Sequence, residues 1–494
     1  MSTQKVSIMK VNDWIEKVEA IGQSKWIRWS VWGLYTLLVI CLCAVHEPWA
    51  DEHHVWSMVY HLSFSELWDA MRIEGHFCLW HLCVWPWVRI FGMDYHALYV
   101  AGSILMSGAV WLMLFRLNFS FIGKLFIIFS APFFYYFPVI ARCYALIPPI
   151  LVALAIVYQK QKNPFLYCFL IGLLAHTHAY MEGMVAVLWC LFVYYYVYIP
   201  YRNGEIAKAK KNGLASLLTV VLVLLAFIQV IGGIADATEE TSVALKNVNP
   251  HWQWVMYVYD KHHIQTTTTL QQYIHFVPNV DLPITLSLYI AITILTYKVI
   301  HQSARRAECV WIIVAATTWQ ILFALNIYNM WYQRVYLLFF PLLYILWIAY
   351  SNKEKMRRYA TWIVFCLWLL NTPAQYDIIN DIVGVYSYDV AAYQQIESHI
   401  ANKPQPIIDC NTTCGYLIKE KTTFLADRSE LDTVLNNDFL DISELYVLIP
   451  AEIDPCMARN FFVDCVCETM EDASGFTDCG NRSHIVRLYN LRRR

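Results

Sequence analysis

Charged residues are scarce in this sequence. They make up 15% of the 494 residues, whereas hydrophobic residues make up 58%. A soluble protein of several domains needs more polar surface than this composition provides, so the chain requires lipid as part of its solvent. The sequence also lacks an internal repeat, a P-loop and any other glycine-rich phosphate loop, which removes most support for a cytoplasmic nucleotide site.

Long apolar runs recur along the first three quarters of the chain. Most can cross a bilayer core of about 30 Å as a helix, and helices are required because an open backbone has no hydrogen-bond partner in hydrocarbon. We predict an all-α polytopic membrane domain with about eleven spans. The predicted spans are Trp29 to Val45, Ala97 to Phe115, Ile122 to Ile140, Tyr144 to Tyr158, Phe165 to Ala179, Gly183 to Ile199, Leu214 to Ala235, Leu282 to Ile300, Val310 to Asn326, Val335 to Tyr350 and Tyr359 to Leu370.

Basic residues predict the orientation, because cytoplasmic loops are rich in Lys and Arg. With the N terminus in the cytoplasm, twenty Lys and Arg residues fall on the cytoplasmic side of the membrane region and six on the other side. This count favours a cytoplasmic N terminus and, with an odd number of spans, an extracytoplasmic C terminus. Residues 1–28 are too long and polar for the start of a cleaved signal, so the first span is expected to be a retained anchor.

The predicted organisation has three domains. Residues 1–28 form a cytoplasmic segment, residues 29–370 the transmembrane domain, and residues 371–494 an extracytoplasmic tail. Two loops of the transmembrane domain, residues 46–96 and 236–281, share the side of the tail. Because the cytoplasmic loops are short and basic, we expect the chemistry on the opposite side.

The first loop is predicted to be helical. Val55, Met58, Val59 and Leu62 recur at helical spacing, and Ser63-Phe64-Ser65-Glu66 has the form of a capping box that opens a second short helix.

Residues 76–91 carry Trp80, Trp85 and Trp87, and tryptophan prefers the headgroup level of a membrane. We therefore predict that this stretch lies along the interface. The alternative is a further spanning helix, which would invert every later segment against the charge count.

The tail has a mixed composition, and short runs such as Leu445 to Ile449 are typical of strands beside helices. We predict a small α+β domain. An even set of cysteines in an outward domain favours disulfides over zinc, because their spacings form no paired CxxC knuckles. The cysteines in the tail are Cys410, Cys414, Cys456, Cys465, Cys467 and Cys479.

Charged side chains next to lipid are costly and tend to mark function. A carboxylate directly after the first span can serve as a general base for an acceptor hydroxyl, or hold a divalent ion that neutralises a phosphate leaving group. A solvated polar collar at the helix end is the alternative. The polar residues of this group are His46, Glu47, Asp51, Glu52, His53 and His54.

Two more polar sites lie in outward connections. Glu74 and His76, with His81 beyond them, can ligate a metal ion or contact a phosphate. Arg142, in Ala141-Arg142-Cys143-Tyr144, can bind a lipid phosphate through paired hydrogen bonds, or it can snorkel to headgroups.

Two outer helix ends complete the set. His176, His178 and Glu182 lie at the end of the fifth span, where histidines can be metal ligands or interface residues paired with neighbours. Arg334 opens the tenth span as a second phosphate contact or as an anchor.

The order of these motifs resembles the C superfamily of glycosyltransferases (GT-C). A single span is followed by an Asp-Glu pair, an amphipathic loop, Glu-Gly-His-x-x-Leu-Trp, Ala-Arg-x-Tyr-Ala-Leu and a Thr-His at an outer helix end. Within that superfamily the sequence is most similar to the branch of the protein O-mannosyltransferases and the lipid A aminoarabinose transferases. The resemblance covers about Trp29 to Ile199, and the start of the tenth span and the outward tail also fit.

The resemblance implies a catalytic acid in the first loop, here Asp51 with Glu52, and a polyprenyl-phosphate sugar in a membrane groove. The family's His-Pro-Pro or Lys-Pro-Pro element, which approaches the phosphate or its metal, falls on His76, although Phe77 and Cys78 replace both prolines. Some relatives carry an acidic residue in the second outward loop. This chain has Arg142 there, so a site with two carboxylates is not expected.

We therefore expect an inverting membrane glycosyltransferase with an extracytoplasmic active site. The expected roles are catalysis by Asp51 and Glu52, donor-phosphate binding by His76, Arg142 and Arg334, and binding of a divalent metal ion by Glu74, His176 and His178.

The expected partners are a polyprenyl-phosphate sugar, membrane lipid and a glycan, lipid or protein acceptor, with no nucleic acid. We expect the protein in a bacterial inner membrane. A transporter or flippase for a lipid-linked sugar is one alternative, although the sequence shows no repeated halves. A glycan polymerase or ligase is another, because it shares the donor and the orientation.

Overall fold

A computed structural model defines the fold over most of the membrane region and over five strands near the C terminus. It describes residues 15–48, 50–74, 77–92, 95–160, 163–236, 281–326, 332–351, 353–371, 378–379, 381–382, 407–410, 422–425, 444–450, 465–477 and 482–493. The side chains of the strands and of some helical residues, Asp51 and Glu74 among them, lie outside the described set.

Helical residues 15–21 precede the first long helix. The α-helices that follow are α1 (Lys25–Val45), α2 (Ala50–His61), α3 (Phe64–Glu74), α4 (Leu79–Phe91), α5 (Ala97–Phe115), α6 (Phe121–Ile128), α7 (Ile147–Lys160), α8 (Pro164–Ala175), α9 (Glu182–Phe192), α10 (Ile199–Arg202), α11 (Ile206–Asp236), α12 (Asp281–Gln302), α13 (Arg306–Asn326), α14 (Phe339–Ala349) and α15 (Glu354–Leu370). Short 3₁₀ or π-helical segments lie at Pro132–Tyr136, Cys143–Leu146, Ala179–Met181, Val193–Tyr198 and Tyr332–Leu338.

The chain is a helical, multi-span membrane protein. Among the described residues, 6 helical segments are long and apolar enough to cross a bilayer. They are Lys25–Val45, Ala97–Phe115, Cys143–Lys160, Ala179–Arg202, Ile206–Gln229 and Arg306–Ala324. Helix α5 coincides with a predicted span residue for residue. The other five predicted spans fall on α6, α8, α12, α14 and α15.

The prediction of a continuous helix from Ile122 to Ile140 is wrong. Helix α6 ends at Ile128, and a π-helical turn, Pro132–Tyr136, follows it. Proline causes this interruption because it lacks an N–H donor and its ring clashes with the preceding turn. The hydroxyl of Tyr35 in α1 donates to the carbonyl of Phe133 at 2.7 Å, which satisfies a backbone group that the irregular turn would otherwise leave inside the membrane region.

The contacts between residues divide the chain into two compact units. The first unit comprises Met1–Cys41, Leu62–Val84 and Tyr99–Tyr376. Within it α7 packs on α8, α8 on α11, α9 on α13 and α12 on α15. Large side chains such as Tyr35, Phe137 and Trp347 are fully buried in this unit. Its core is therefore aromatic and helical.

The capping box of the first loop is present in the first unit. The backbone N–H of Ser63 donates to Glu66 Oε2 at 2.8 Å, and the N–H of Glu66 donates to Ser63 Oγ at 3.4 Å. The reciprocal pair opens α3, which packs against α11. The prediction of a second short helix at Ser63 is thus confirmed.

The second unit comprises Leu42–His61, Trp85–Leu98 and Asp377–Arg494. Helix α2 belongs to it and buries Val55, Met58 and Val59, the apolar residues that predicted a helix.

Helix α4 has 13 residues, fewer than the roughly 20 that a span needs. Its length argues against the alternative of an additional span.

The C-terminal strands form one mixed sheet of the second unit. The strands are β1 (Ile407–Cys410), β2 (Thr422–Leu425), β3 (Glu444–Pro450), β4 (Cys465–Thr477) and β5 (Arg482–Arg493), in the order β2-β1-β3-β5-β4. Strand β1 is parallel to β2 and β3, and β5 is antiparallel to β3 and β4. The predicted strand Leu445 to Ile449 lies within β3.

The disulfide prediction lies outside the described residues, because the side chains of all six cysteines in the tail do. Among the described cysteines, all of them in or near the membrane region, none is placed in a disulfide. That state agrees with their interpretation as small hydrophobic residues.

Candidate functional site

Arg142 occupies a buried bend at the start of a membrane helix. Its backbone is extended (φ −123°, ψ 161°), and its carbonyl accepts the N–H of Ala145 at 3.1 Å, which opens the 3₁₀ turn Cys143–Leu146. The residue is 8% exposed. A guanidinium in such a place needs polar partners, because an unpaired charge inside the protein is costly.

A hydrogen bond to Tyr144 connects Arg334 to the bend that contains Arg142. Arg334 belongs to the 3₁₀ segment Tyr332–Leu338, and its Nε donates to the hydroxyl of Tyr144 at 2.9 Å. Arg142 and Arg334 both interact electrostatically with the thiol of Cys143, which separates Arg142 from Tyr144 in the chain. Two residues predicted separately as phosphate contacts therefore lie together in the first unit.

His178 joins this group through ring contacts. Its ring centroid lies 5.2 Å from that of Tyr144 and stacks at 5.3 Å on Tyr180. Its Nδ1 accepts the backbone N–H of Tyr180 at 3.2 Å, so that nitrogen carries a lone pair. We call Arg142, Tyr144, His178 and Arg334 the arginine cluster. Its two guanidinium groups suit an anion, and paired N–H donors match phosphate in particular.

His176 is held elsewhere in the first unit. Its Nε2 lies 2.9 Å from the carbonyl oxygen of Leu222, and its ring packs at 6.1 Å from that of Phe77.

The predicted metal site lies partly outside the described residues. No group of three or more His, Cys, Asp or Glu side chains in the described part of the chain could hold a metal ion. The side chain of Glu74 and all of His76 lie outside the described residues. Metal binding by Glu74, His176 and His178 therefore stays a prediction, and no chemical step below passes through a metal.

A second polar group lies in the second unit, around His46. The Nδ1 atom of His46 is 2.7 Å from Asp381 Oδ2, and its Nε2 is 3.1 Å from Glu52 Oε2. All three side chains are 0% exposed. We call His46, Glu52 and Asp381 the histidine cluster.

The histidine cluster holds an imidazolium between two carboxylates. Burial by itself lowers the pKa of His46, but the carboxylates of Glu52 and Asp381 together outweigh burial and raise that pKa from 6.5 to about 10. Both ring nitrogens then donate, which a neutral imidazole cannot do.

The two predicted catalytic acids have different positions. Asp51 lies in the first turn of α2, and its side chain is outside the described residues. Glu52, the next residue, is buried and bonded to His46, so its carboxylate is engaged in the histidine cluster. The catalytic role of Asp51 stays a prediction.

Sequence reasoning missed Asp381 and Tyr144. Tyr144 stood inside the Ala-Arg-x-Tyr-Ala-Leu motif, and that motif was the signal that could have found it. Asp381 is one of many acids in the tail, 335 residues from its partner His46, and no local pattern connects the two.

Comparisons with known proteins support the fold alone. No protein-family model matches the chain, and no curated protein sequence is significantly similar to it. A similar solved structure is the crystal structure of ArnT from Cupriavidus metallidurans bound to undecaprenyl phosphate. The similarity has a TM-score of 0.52 and covers 94% of this chain and 98% of that chain, with 10% sequence identity.

Proposed function

We propose that this chain is a membrane glycosyltransferase that transfers a sugar from a polyprenyl-phosphate donor to an acceptor at the extracytoplasmic face, with inversion at the anomeric carbon. The observation that carries the proposal is the arginine cluster, in which Arg334 bonds to Tyr144, two residues after Arg142, inside a helical membrane unit. One buried and one half-buried arginine beside a membrane helix suit the phosphate of a lipid donor.

The fold supports the class of donor. ArnT, whose fold this chain resembles, was crystallised with undecaprenyl phosphate, which is a polyprenyl phosphate. In the proposal, the same class of lipid carries the sugar here. An N-in, C-out arrangement with about eleven spans and a soluble α+β tail is part of the proposal.

The proposed reaction is a single displacement. The oxygen of the acceptor hydroxyl attacks the anomeric carbon, its proton goes to the carboxylate of Asp51, and the bond between the anomeric carbon and the phosphate oxygen breaks. The electron pair of that bond leaves with the polyprenyl phosphate. Arg142 and Arg334 stabilise the charge that develops there, and such stabilisation is often the largest catalytic contribution. His76 is proposed as a third contact to the same phosphate.

The test uses the purified full chain in liposomes with a panel of polyprenyl-phosphate sugars. The expected product is free polyprenyl phosphate, in an amount equal to the glycosylated acceptor. Arg142→Ala should lose this release, whereas Arg116→Ala is the matched control, because Arg116 is an exposed arginine that lies over the ring of Trp111 at 5.5 Å. No release with any donor would refute the proposal.

Transport of a lipid-linked sugar is a second candidate, favoured by the broken helix between Ile128 and Pro132. Transporters place their sites at such discontinuous helices. The same liposomes separate the two functions, because a flippase moves the intact donor between leaflets and releases no polyprenyl phosphate. A polymerase or ligase would release it and would lengthen or transfer a preformed glycan chain.

A further inference from the structure

The histidine cluster joins three parts of the chain. His46 follows α1 directly, and its backbone N–H donates to the carbonyl of Leu42 at 2.9 Å, so its backbone continues the helix. Glu52 lies in the first turn of α2, and Asp381 lies in the segment beyond α15. One imidazole thus links the end of the first span, the start of α2 and the chain beyond the last apolar helix.

This linkage fixes the start of α2 more firmly than packing alone would. A carboxylate in the first turn of a helix interacts favourably with the helix dipole, and Glu52 adds a charged hydrogen bond to His46. Asp381 completes the set by holding the other ring nitrogen, which fixes the orientation of the ring.

Stability alone is a weak explanation for such a group. Buried ion pairs contribute little net stability, because the cost of desolvation offsets most of the attraction, and their better-attested role is to specify one arrangement of the chain. The residue next to Glu52 in the same helical turn is Asp51, the proposed base. A shift of the helix start would move the Asp51 backbone with it.

We propose that Asp381 is a positioning residue that acts through His46 and Glu52 to hold the start of α2, and with it Asp51, in place for proton removal. This inference rests on the proposed function. It also assigns Glu52 to positioning, in place of its predicted role as a second catalytic acid.

The test compares Asp381→Asn, Asp381→Glu and the wild-type full chain in two measurements. Sugar transfer gives kcat and the KM for the donor, and hydrogen exchange measures the protection of the backbone amides of α2. Glu205→Gln is the matched control, because Glu205 is an exposed acid paired with Lys208 at 2.8 Å.

We expect Asp381→Asn to lower kcat by about tenfold to a hundredfold, since a misplacement of about 1 Å has effects of that size. The KM for the donor should stay within about twofold, because the arginine cluster is unchanged. Exchange should rise in α2, and Asp381→Glu should recover part of the loss in kcat by restoring the charge. His46→Gln takes the place of Asp381→Asn if that variant does not fold.

Two outcomes overturn the inference alone: unchanged exchange in α2, or faster exchange with a normal kcat, which would make the cluster a purely structural link. A wild-type protein that transfers no sugar refutes the proposed function, and the positioning of its base is then refuted with it. The wild-type rate therefore distinguishes the two failures.

Discussion

The sharpest test of the arginine cluster is a double-mutant cycle between Arg142 and Arg334 on the binding of polyprenyl phosphate. If both guanidinium groups contact the same phosphate, removing either one loses a charged hydrogen bond worth about 1.5 to 3 kcal/mol. Since about 1.4 kcal/mol corresponds to a tenfold change in Kd, each alanine variant should weaken binding by roughly 10- to 150-fold.

The hydrogen bond from Arg334 to Tyr144 sets a finer expectation. Tyr144→Phe removes the hydroxyl that accepts from Arg334 at 2.9 Å and leaves both positive charges in place. Its loss should be near 0.5 to 1.5 kcal/mol, about 2- to 10-fold in Kd. The order of effects is therefore a substantial loss for either arginine and a smaller one for the tyrosine.

The assay is the binding of a fluorescent polyprenyl phosphate to the purified protein in nanodiscs at fixed ionic strength. The double variant should lose less than the sum of the single losses, with a coupling of about 0.5 to 3 kcal/mol, because neighbouring residues on one ligand are not independent. Arg116→Ala should stay within about 0.5 kcal/mol, as surface substitutions do. If Arg142→Ala binds as tightly as Arg116→Ala, the assignment of this cluster to phosphate is refuted.

Three further predictions concern the rest of the chain. The thermal stability of the wild type should decline between pH 6.5 and about 10, and that of His46→Gln should decline less. The raised pKa of His46 gives stability that is complete below the unfolded pKa of 6.5 and is lost as the pH rises through about 10. Scanning calorimetry over this pH range measures the decline. Asp51→Asn should abolish turnover while the Kd for polyprenyl phosphate stays normal, and Glu47→Gln is the control. Normal transfer by Asp51→Asn together with loss of transfer by Glu47→Gln would contradict the assignment of Asp51 as the base. A membrane-impermeant thiol reagent should label a cysteine placed at Ser63 and miss one placed at Asn203, and labelling at Asn203 from outside would rule out the predicted orientation.

Local signals predicted the local structure of this chain well. The limits of α5 follow from an uninterrupted apolar run, and the start of α3 follows from a capping box whose partners are three residues apart. The strand at Leu445 to Ile449 follows from a short β-forming run. In each case the residues that determine the structure are neighbours in sequence.

The arrangement of the candidate sites depends on contacts that no local pattern specifies. Sequence reasoning selected Arg142 and Arg334 separately. The Ala-Arg-x-Tyr-Ala-Leu motif contains Tyr144, but no local pattern pairs Tyr144 with Arg334, 190 positions later. It assigned Glu52 to catalysis with Asp51, because no local pattern shows that Glu52 bonds to His46, which the distant Asp381 holds in turn. The break after Ile128 was also missed, since a proline within an apolar run is tolerated in some membrane helices.

The separation between His46 and Asp381 also has a consequence for how the protein is made. A ribosome adds about 5 to 20 residues per second, so the 335 residues between these partners take roughly 20 to 70 s to synthesise. Throughout that interval α1 and α2 already exist, but the imidazole at their junction has only one of its two carboxylates. A nascent chain that stops before Asp381 therefore keeps an incomplete ionic group beside the membrane, and we expect membrane proteases to recognise truncated products by the loosened start of α2.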